Sequence, residues 1–256
     1  MISGIFIINK KKNETSSKTL STFKKNTKIK KAGIFGILDP LATGILPIIV
    51  GEATKYIAYI QGTKKMYMVQ SKLGVYSDCG DYESQPVSFQ NEMRTIKNLT
   101  DSIITNTFNK FLGDYMQLPP MFSATKYKGK PLYSYARKNI NVRREHKKRY
   151  IYRLEFISLV NDILTFNVTC SSGTYIRELV QDISKEWGLH SCLYNLDRTA
   201  VEPFENFSSV DVNDITSDNL DKHLIKLTDM LTNIPEIICN NAEITKLYYG
   251  LSICKT

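Results

Sequence analysis

Residues 31–50 read Lys-Ala-Gly-Ile-Phe-Gly-Ile-Leu-Asp-Pro-Leu-Ala-Thr-Gly-Ile-Leu-Pro-Ile-Ile-Val, a turn-rich stretch running directly into an apolar one. Gly33, Gly36 and Gly44 permit backbone conformations that other residues avoid. Pro40 fixes its own φ and pushes Asp39 toward an extended geometry. One carboxylate is therefore presented at a fixed angle. The run 45–50 reads as a buried strand, which would make Asp39 a nucleophile or base on a loop carried by that strand. Taken alone, the segment reads more simply as a tight turn with a solvated aspartate.

The rest of the chain alternates between short strands and helices. Residues 1–8, Met-Ile-Ser-Gly-Ile-Phe-Ile-Ile, lack the length and leading charge of a signal peptide and read as a first strand. Ser16 or Ser17 is placed to cap a helix reaching Phe23, and 52–60 reads as a helix turning Tyr56, Ile57 and Ile60 inward. Residues 67–75 alternate like a strand. Residues 91–112 are expected to form one long helix, with Met93, Ile96, Ile103, Ile104, Phe108 and Phe111 near helical spacing. Segments 154–160 and 163–170 read as a hairpin about Asn161-Asp162, and 173–187 as a helix ended by Gly188. Strands outnumber those of a single parallel βαβ series and hairpins recur. The expected fold class is α+β, a mixed, mostly antiparallel sheet flanked by helices.

At 256 residues the chain can bury a sizeable core, as one large domain or one domain plus an appendage. Its 34 Lys and Arg against 25 Asp and Glu leave a formal net charge of +9, which suits a polyanionic partner. The five cysteines, Cys79, Cys170, Cys192, Cys239 and Cys254, are scattered and form no C-x-x-C pair, so neither a disulfide framework nor a zinc site is expected. His146, His190 and His223 lie far apart without carboxylates at ligand spacing, so no catalytic metal is expected. No stretch approaches the ~20 apolar residues of a membrane helix. A cytoplasmic, monomeric protein is expected.

Four ordered blocks carry a family resemblance. Residues 36–47, followed by Gly51-Glu52-Ala53-Thr54-Lys55, resemble the signature of the bacterial tRNA pseudouridine-55 synthases, the B-type branch of the pseudouridine synthases. Lys65-Met66-Tyr67 resembles that family's Lys-x-Tyr strand. Residues 120–126 with 132–137 resemble its insertion segment, and Ser172-Gly173-Thr174-Tyr175-Ile176-Arg177 its helix-opening motif. The resemblance implies a curved sheet with the active site in a central cleft, a catalytic domain over 1–230 with an insertion at about 119–150, and a truncated remnant of a C-terminal RNA-binding domain over 231–256.

It also implies the reaction: isomerisation of uridine to pseudouridine at position 55 in the T-loop of tRNA, by an aspartate and without a cofactor. Asp39 matches the catalytic acid and Arg177 the arginine that pairs with it. Tyr67 matches the tyrosine that stacks on the target base, while Tyr175 and Leu196 line the pocket by the same carry-over. The partner implied is the T-arm of tRNA, whose target base must be flipped out of the folded loop. Lys10, Lys126, Lys130, Arg137, Arg143 and Arg144 are the candidate RNA contacts, with Lys147, Lys148 and Arg149 following and a second cluster, Lys24 to Lys31, leading into the Asp39 loop. Two departures stand out. The family's Gly-His-Thr-Gly is Gly33-Ile34-Phe35-Gly36, where Phe35 is the ring available to replace the histidine, and the motif Leu-Asp-Lys-Pro-x-Gly is eroded to Ile8-Asn9-Lys10-Lys11-Lys12-Asn13. A tRNA-folding chaperone of the same fold, and a synthase acting on another RNA, are the alternatives.

Overall fold

The structure is a computed structural model describing residues 2–60, 64–231 and 234–253. Among them a single large sheet is built from β1 (Gly4–Lys10), β2 (Ala32–Ile34), β3 (Thr43–Val50), β4 (Lys64–Leu73), β5 (Gly113–Gln117), β6 (Lys147–Val160), β7 (Ile163–Ser171) and β8 (Ser191–Val201). The spatial order is β1-β3-β8-β4-β7-β6-β5, with β2 also on β3. Every pairing is antiparallel except one: β3 and β8 meet in parallel through Thr43 opposite Asp197 and Gly44 opposite Arg198. The mixed, mostly antiparallel α+β expectation is met.

Three helices cover one face: α1 (Ser16–Thr27), α2 (Asp101–Phe111) and α3 (Ile176–Lys185). Phe23 of α1 packs on Phe6 at 5.1 Å between ring centres, and Phe108 of α2 on Phe166 at the same separation. Leu179, Val180 and Ile183 of α3 fill the space beside them. The opposite face of β1 is covered too, by Phe204, Ile225 and Met230 against Ile5, Ile7 and Ile49. Both faces of this strand are therefore buried. That is why residues 5–8 are uniformly apolar instead of alternating.

Three local expectations need correction. The long helix over 91–112 is broken into Met93–Lys97 and α2, because Thr100 accepts a hydrogen bond from Ile103 N and starts a new helix instead of continuing the old one. Ile103 is consequently exposed. Gly51–Tyr59 is a 3₁₀ helix, whose tighter period leaves Tyr56 exposed while Ile57 and Ile60 pack inward. The helix expected from Gly173 begins only at Ile176, since Gly173 takes φ +80°, incompatible with a helical turn. The hairpin about Asn161-Asp162 forms as expected, with Asn161 in the left-handed region. Beyond Met230 the described segment 234–253 contains one helix, α4 (Asn241–Tyr248), none of whose residues is buried. Residues 232, 233 and 254–256 of the expected C-terminal remnant lie outside the described residues.

Gly44 sits at the parallel junction with φ +97°, and a Cβ there would come within 2.3 Å of Arg198 O and 2.8 Å of Asp197 Oδ1. The left-handed strain alone costs an L residue ~1–2 kcal/mol. Gly44→Ala should lose at least that much, seen as a lower urea midpoint with an unchanged slope. An unchanged midpoint would show that the junction yields to a methyl group.

Candidate active site

Asp39 lies in the loop that connects β2 to β3, and buried side chains hold the carbonyls of Gly36, Leu38, Pro40 and Ala42 around it. Ser16 Oγ, from the first turn of α1, donates to Leu38 O and accepts from Leu38 N, both at 2.9 Å. Lys10 Nζ donates to Ala42 O at 2.6 Å, to Lys11 O at 2.9 Å and to Pro40 O at 3.1 Å. Arg198 donates from Nε to Ile45 O at 2.7 Å and from Nη2 to Gly36 O at 2.8 Å. Ala42 N closes the turn onto Asp39 O at 3.1 Å. Gly36 and Gly44 do use positive φ, whereas Gly33 is an ordinary strand residue.

Arg177, at the start of α3, fixes the carboxylate. Its Nε donates to Asp39 Oδ2 at 2.9 Å, Nη1 to Cys79 O at 2.9 Å and Nη2 to Phe122 O at 2.9 Å, with Asp39 Oδ1 a further 3.5 Å contact. All three nitrogens are thereby used, and the guanidinium cannot swing away. The Arg177 side chain is 7 % exposed and that of Asp39 is 39 %. The cation is locked inside while the carboxylate faces out.

It faces a cleft of about 470 Å³ lined by Asp39, Tyr67, Tyr175, Arg177, Leu196 and Lys65 among others. The five residues expected to form the catalytic pocket are thus brought to one cavity from the Asp39 loop, β4, the start of α3 and β8. Tyr67 is nearly buried, and desolvation pushes its phenol up to about 12. Tyr175 is tied down by its hydroxyl to Thr125 Oγ1 at 3.0 Å and by its backbone to the Gln117 amide. Ile37, beside Asp39, is 72 % exposed at the cleft rim. Among the described residues no group of three or more His, Cys, Asp or Glu side chains is arranged to hold a metal.

Sequence reasoning misplaced Lys10 and Phe35. Lys10 is fully buried and its ammonium spends its three donors on carbonyls, so it braces the Asp39 loop and has none left for a phosphate; desolvation lowers it to about 8. Phe35 does not reach the cleft, because its ring packs edge-on against Phe204 at 5.5 Å, and Ile34 packs on the core. Lys126, Lys130, Arg137 and Arg143 are exposed, while Arg144 is half-buried and donates to Pro119 O at 2.8 Å. Lys126, Lys128, Arg143, Arg144 and Lys147 line a groove of about 650 Å³ within the insertion. Lys147, Lys148 and Arg149 are the first residues of β6, paired with β5. Lys65, which lines the cleft, and Arg198, which stands behind it, were singled out as functional by no expectation. Their signal was the two-residue spacing from Tyr67 and Leu196, which puts each on the same strand face as its expected neighbour.

Residues 24–176 match the model of the TruB family pseudouridylate synthase N-terminal domain. The chain belongs to this family. Relatives include the tRNA pseudouridine synthase B of Hydrogenovibrio crunogenus, 36 % identical over 249 residues, covering 97 % of this chain and 80 % of the relative. That of Mannheimia succiniciproducens is 44 % identical over 203 residues, covering 79 % and 65 %. Among solved structures, a chain of a Cbf5–Nop10–Gar1 complex superposes with a TM-score of 0.71 at 20 % identity, covering 96 % of this chain and 67 % of that one, and so shares the fold. Within the TruB match lie Asp39, Lys65, Tyr67 and Tyr175. Arg177 follows one residue beyond its end.

The bracing of the Asp39 loop is open to test. Ser16→Ala strands a buried N–H and a buried C=O at Leu38, a loss of about 1–3 kcal/mol. It should lower kcat more than it raises KM, because it frees the carboxylate's angle without touching an RNA-facing surface. Equal changes in both constants would place Ser16 outside the positioning of Asp39.

Proposed function

We propose that this protein isomerises uridine to pseudouridine in tRNA, at position 55 of the T-loop. The observation that carries the reading is the Asp39–Arg177 ion pair at the wall of a cleft shared with Tyr67, in a chain of the TruB family. The reaction breaks the N1–C1′ bond of the target nucleotide, turns the base and joins C5 to C1′. No electrons are exchanged with a cofactor. A carboxylate held at one angle beside C1′ serves both attack on the sugar and assistance to glycal formation, and Arg177 keeps that angle fixed. Tyr67 offers a flat, dry face for the detached base.

The uridine must leave its stack to reach Asp39. Ile37, exposed at the rim on a braced loop, is placed to fill the space the base leaves, a task Ile34 and Phe35 are too committed to perform. The basic groove of Lys126, Lys128, Arg143 and Arg144 is suited to phosphates of the T-arm. The described cysteines are all unpaired, which fits the reducing cytoplasm where tRNA is modified. A chaperone without catalysis is disfavoured, since it has no need of a clamped carboxylate facing an apolar pocket.

Asp39→Asn should leave tRNA binding intact and abolish tritium release from tRNA labelled with 5-tritiated uridine, because an amide cannot act as the nucleophile. Release at more than a trace level would remove Asp39 from the chemistry. Binding across a range of salt separates the two surfaces. Lys126→Ala or Arg143→Ala should each flatten log K against log[salt] by about 0.7–0.9, whereas Tyr67→Ala should spare the slope and damage the chemical step. An unchanged slope for both basic variants would move RNA docking to the Lys24 to Lys31 cluster.

A further inference from the structure

The Asp39–Arg177 pair leaves a second electrostatic feature of the cleft unused. Lys65 and Tyr67 share one face of β4, so the Lys65 ammonium enters the cleft beside the tyrosine ring. Among the described residues, the Lys65 side chain has no hydrogen bond or ion pair; burial, and then the charge of Arg198, lower its ammonium to about 8. Arg198, on the neighbouring β8, is fully buried; its Nε and Nη2 are used on Ile45 O and Gly36 O, its guanidinium also interacts with the Tyr67 hydroxyl, and Nη1 makes no well-formed hydrogen bond. The two cations converge on Gly36: a Cβ there would lie 3.1 Å from Lys65 Nζ and 3.4 Å from Arg198 Nη1. Two positive groups converging on one place, neither ion-paired to a carboxylate, cost stability. Such an arrangement is useful where negative charge develops during the reaction.

Isomerisation creates such a charge. When the N1–C1′ bond breaks, its electron pair leaves with the base, giving a uracil anion delocalised over N1 and the carbonyl oxygens. We propose that Lys65 donates a hydrogen bond to a carbonyl oxygen of the departing uracil and, with Arg198 behind it, stabilises the uracil anion until C5 joins C1′. The assignment rests on the reading of this protein as a pseudouridine synthase. The step balances: an electron pair from the base forms the C5–C1′ bond, the C5 proton is lost and N1 gains one, so no oxidant or reductant is involved. Lys65 is then a catalytic residue. Arg198 is a positioning one that holds Gly36 and Ile45 and keeps the wall positive.

The test compares wild type, Lys65→Met and Lys65→Arg in single turnover on a T-stem-loop RNA carrying either uridine or 5-fluorouridine at the target position. Fluorine makes the departing base a more stable anion, and loss of the original nucleoside after digestion reads N1–C1′ cleavage for both. Lys65→Met should slow uridine at least ~100-fold, the usual cost of losing one preorganised donor. The deficit should shrink at least about tenfold on 5-fluorouridine, with RNA affinity within about threefold of wild type. Lys65→Met should unfold no more readily than wild type, since it removes an unmatched charge. Lys65→Arg should recover part of the rate. It should also abolish the wild-type decline above about pH 8, where Lys65, facing Arg198, Cys170, Tyr67 and Asp39, loses its proton.

An equal deficit on both substrates, or an unaffected rate, would overturn the assignment. A loss confined to affinity with a flatter salt dependence would instead make Lys65 a phosphate contact. Failure of wild type to form pseudouridine would overturn the functional reading first, and this assignment with it.

Discussion

Backbone carbonyls in an apolar setting must find donors, and the loop around Asp39 finds them in side chains buried for that purpose. Gly36, Leu38, Pro40, Ala42 and Ile45 all hand their carbonyl oxygens to Lys10, Ser16 or Arg198. Regular secondary structure would have satisfied these groups more cheaply, but it would have enclosed the carboxylate. A loop braced by side chains keeps Asp39 both immobile and open to the cleft. Strand β1 supplies Lys10, α1 supplies Ser16 and β8 supplies Arg198, so the packing of three elements on the sheet decides the angle of one carboxylate.

The positive charge of this chain divides by task once the fold is known. Lys10, Arg177 and Arg198 are buried and spend their donors on carbonyls and on Asp39. Lys65 enters the cleft. Lys126, Lys128 and Arg143 line an outer groove, and others such as Lys148 and Lys55 are engaged in exposed ion pairs of little energetic weight. A net charge of +9 names the class of partner without saying which cations meet it. Burial separates them, because a buried cation must be satisfied internally and is then unavailable to phosphate.

The replacement of a family histidine and threonine by Ile34 and Phe35 is absorbed by the core. Phe35 closes on Phe204 beneath the sheet, and Ile34 joins the cluster under α1. The exposed apolar side chain nearest the carboxylate is Ile37. The substitution therefore moves apolar bulk along the loop without disturbing the Asp39–Arg177 geometry, which depends on α3 and on the carbonyls of Cys79 and Phe122.

The chain by itself determined the elements with strong local causes: the apolar first strand, the turn at Asn161-Asp162, the glycine- and proline-framed loop of Asp39, and, through the order of its motifs, the set of five residues that meet in the cleft. It did not determine where the helix over 91–112 breaks, since the Thr100 hydroxyl competes with the helical ladder on nearly equal terms, nor that 52–60 winds as a 3₁₀ helix that leaves Tyr56 exposed. Tertiary structure alone decided the roles of Lys10, Lys65 and Arg198. Their side chains look alike in a sequence rich in lysine. Only the parallel meeting of β3 with β8, residues that lie some 150 positions apart, settles which cations are walled off from water and which one faces the departing base.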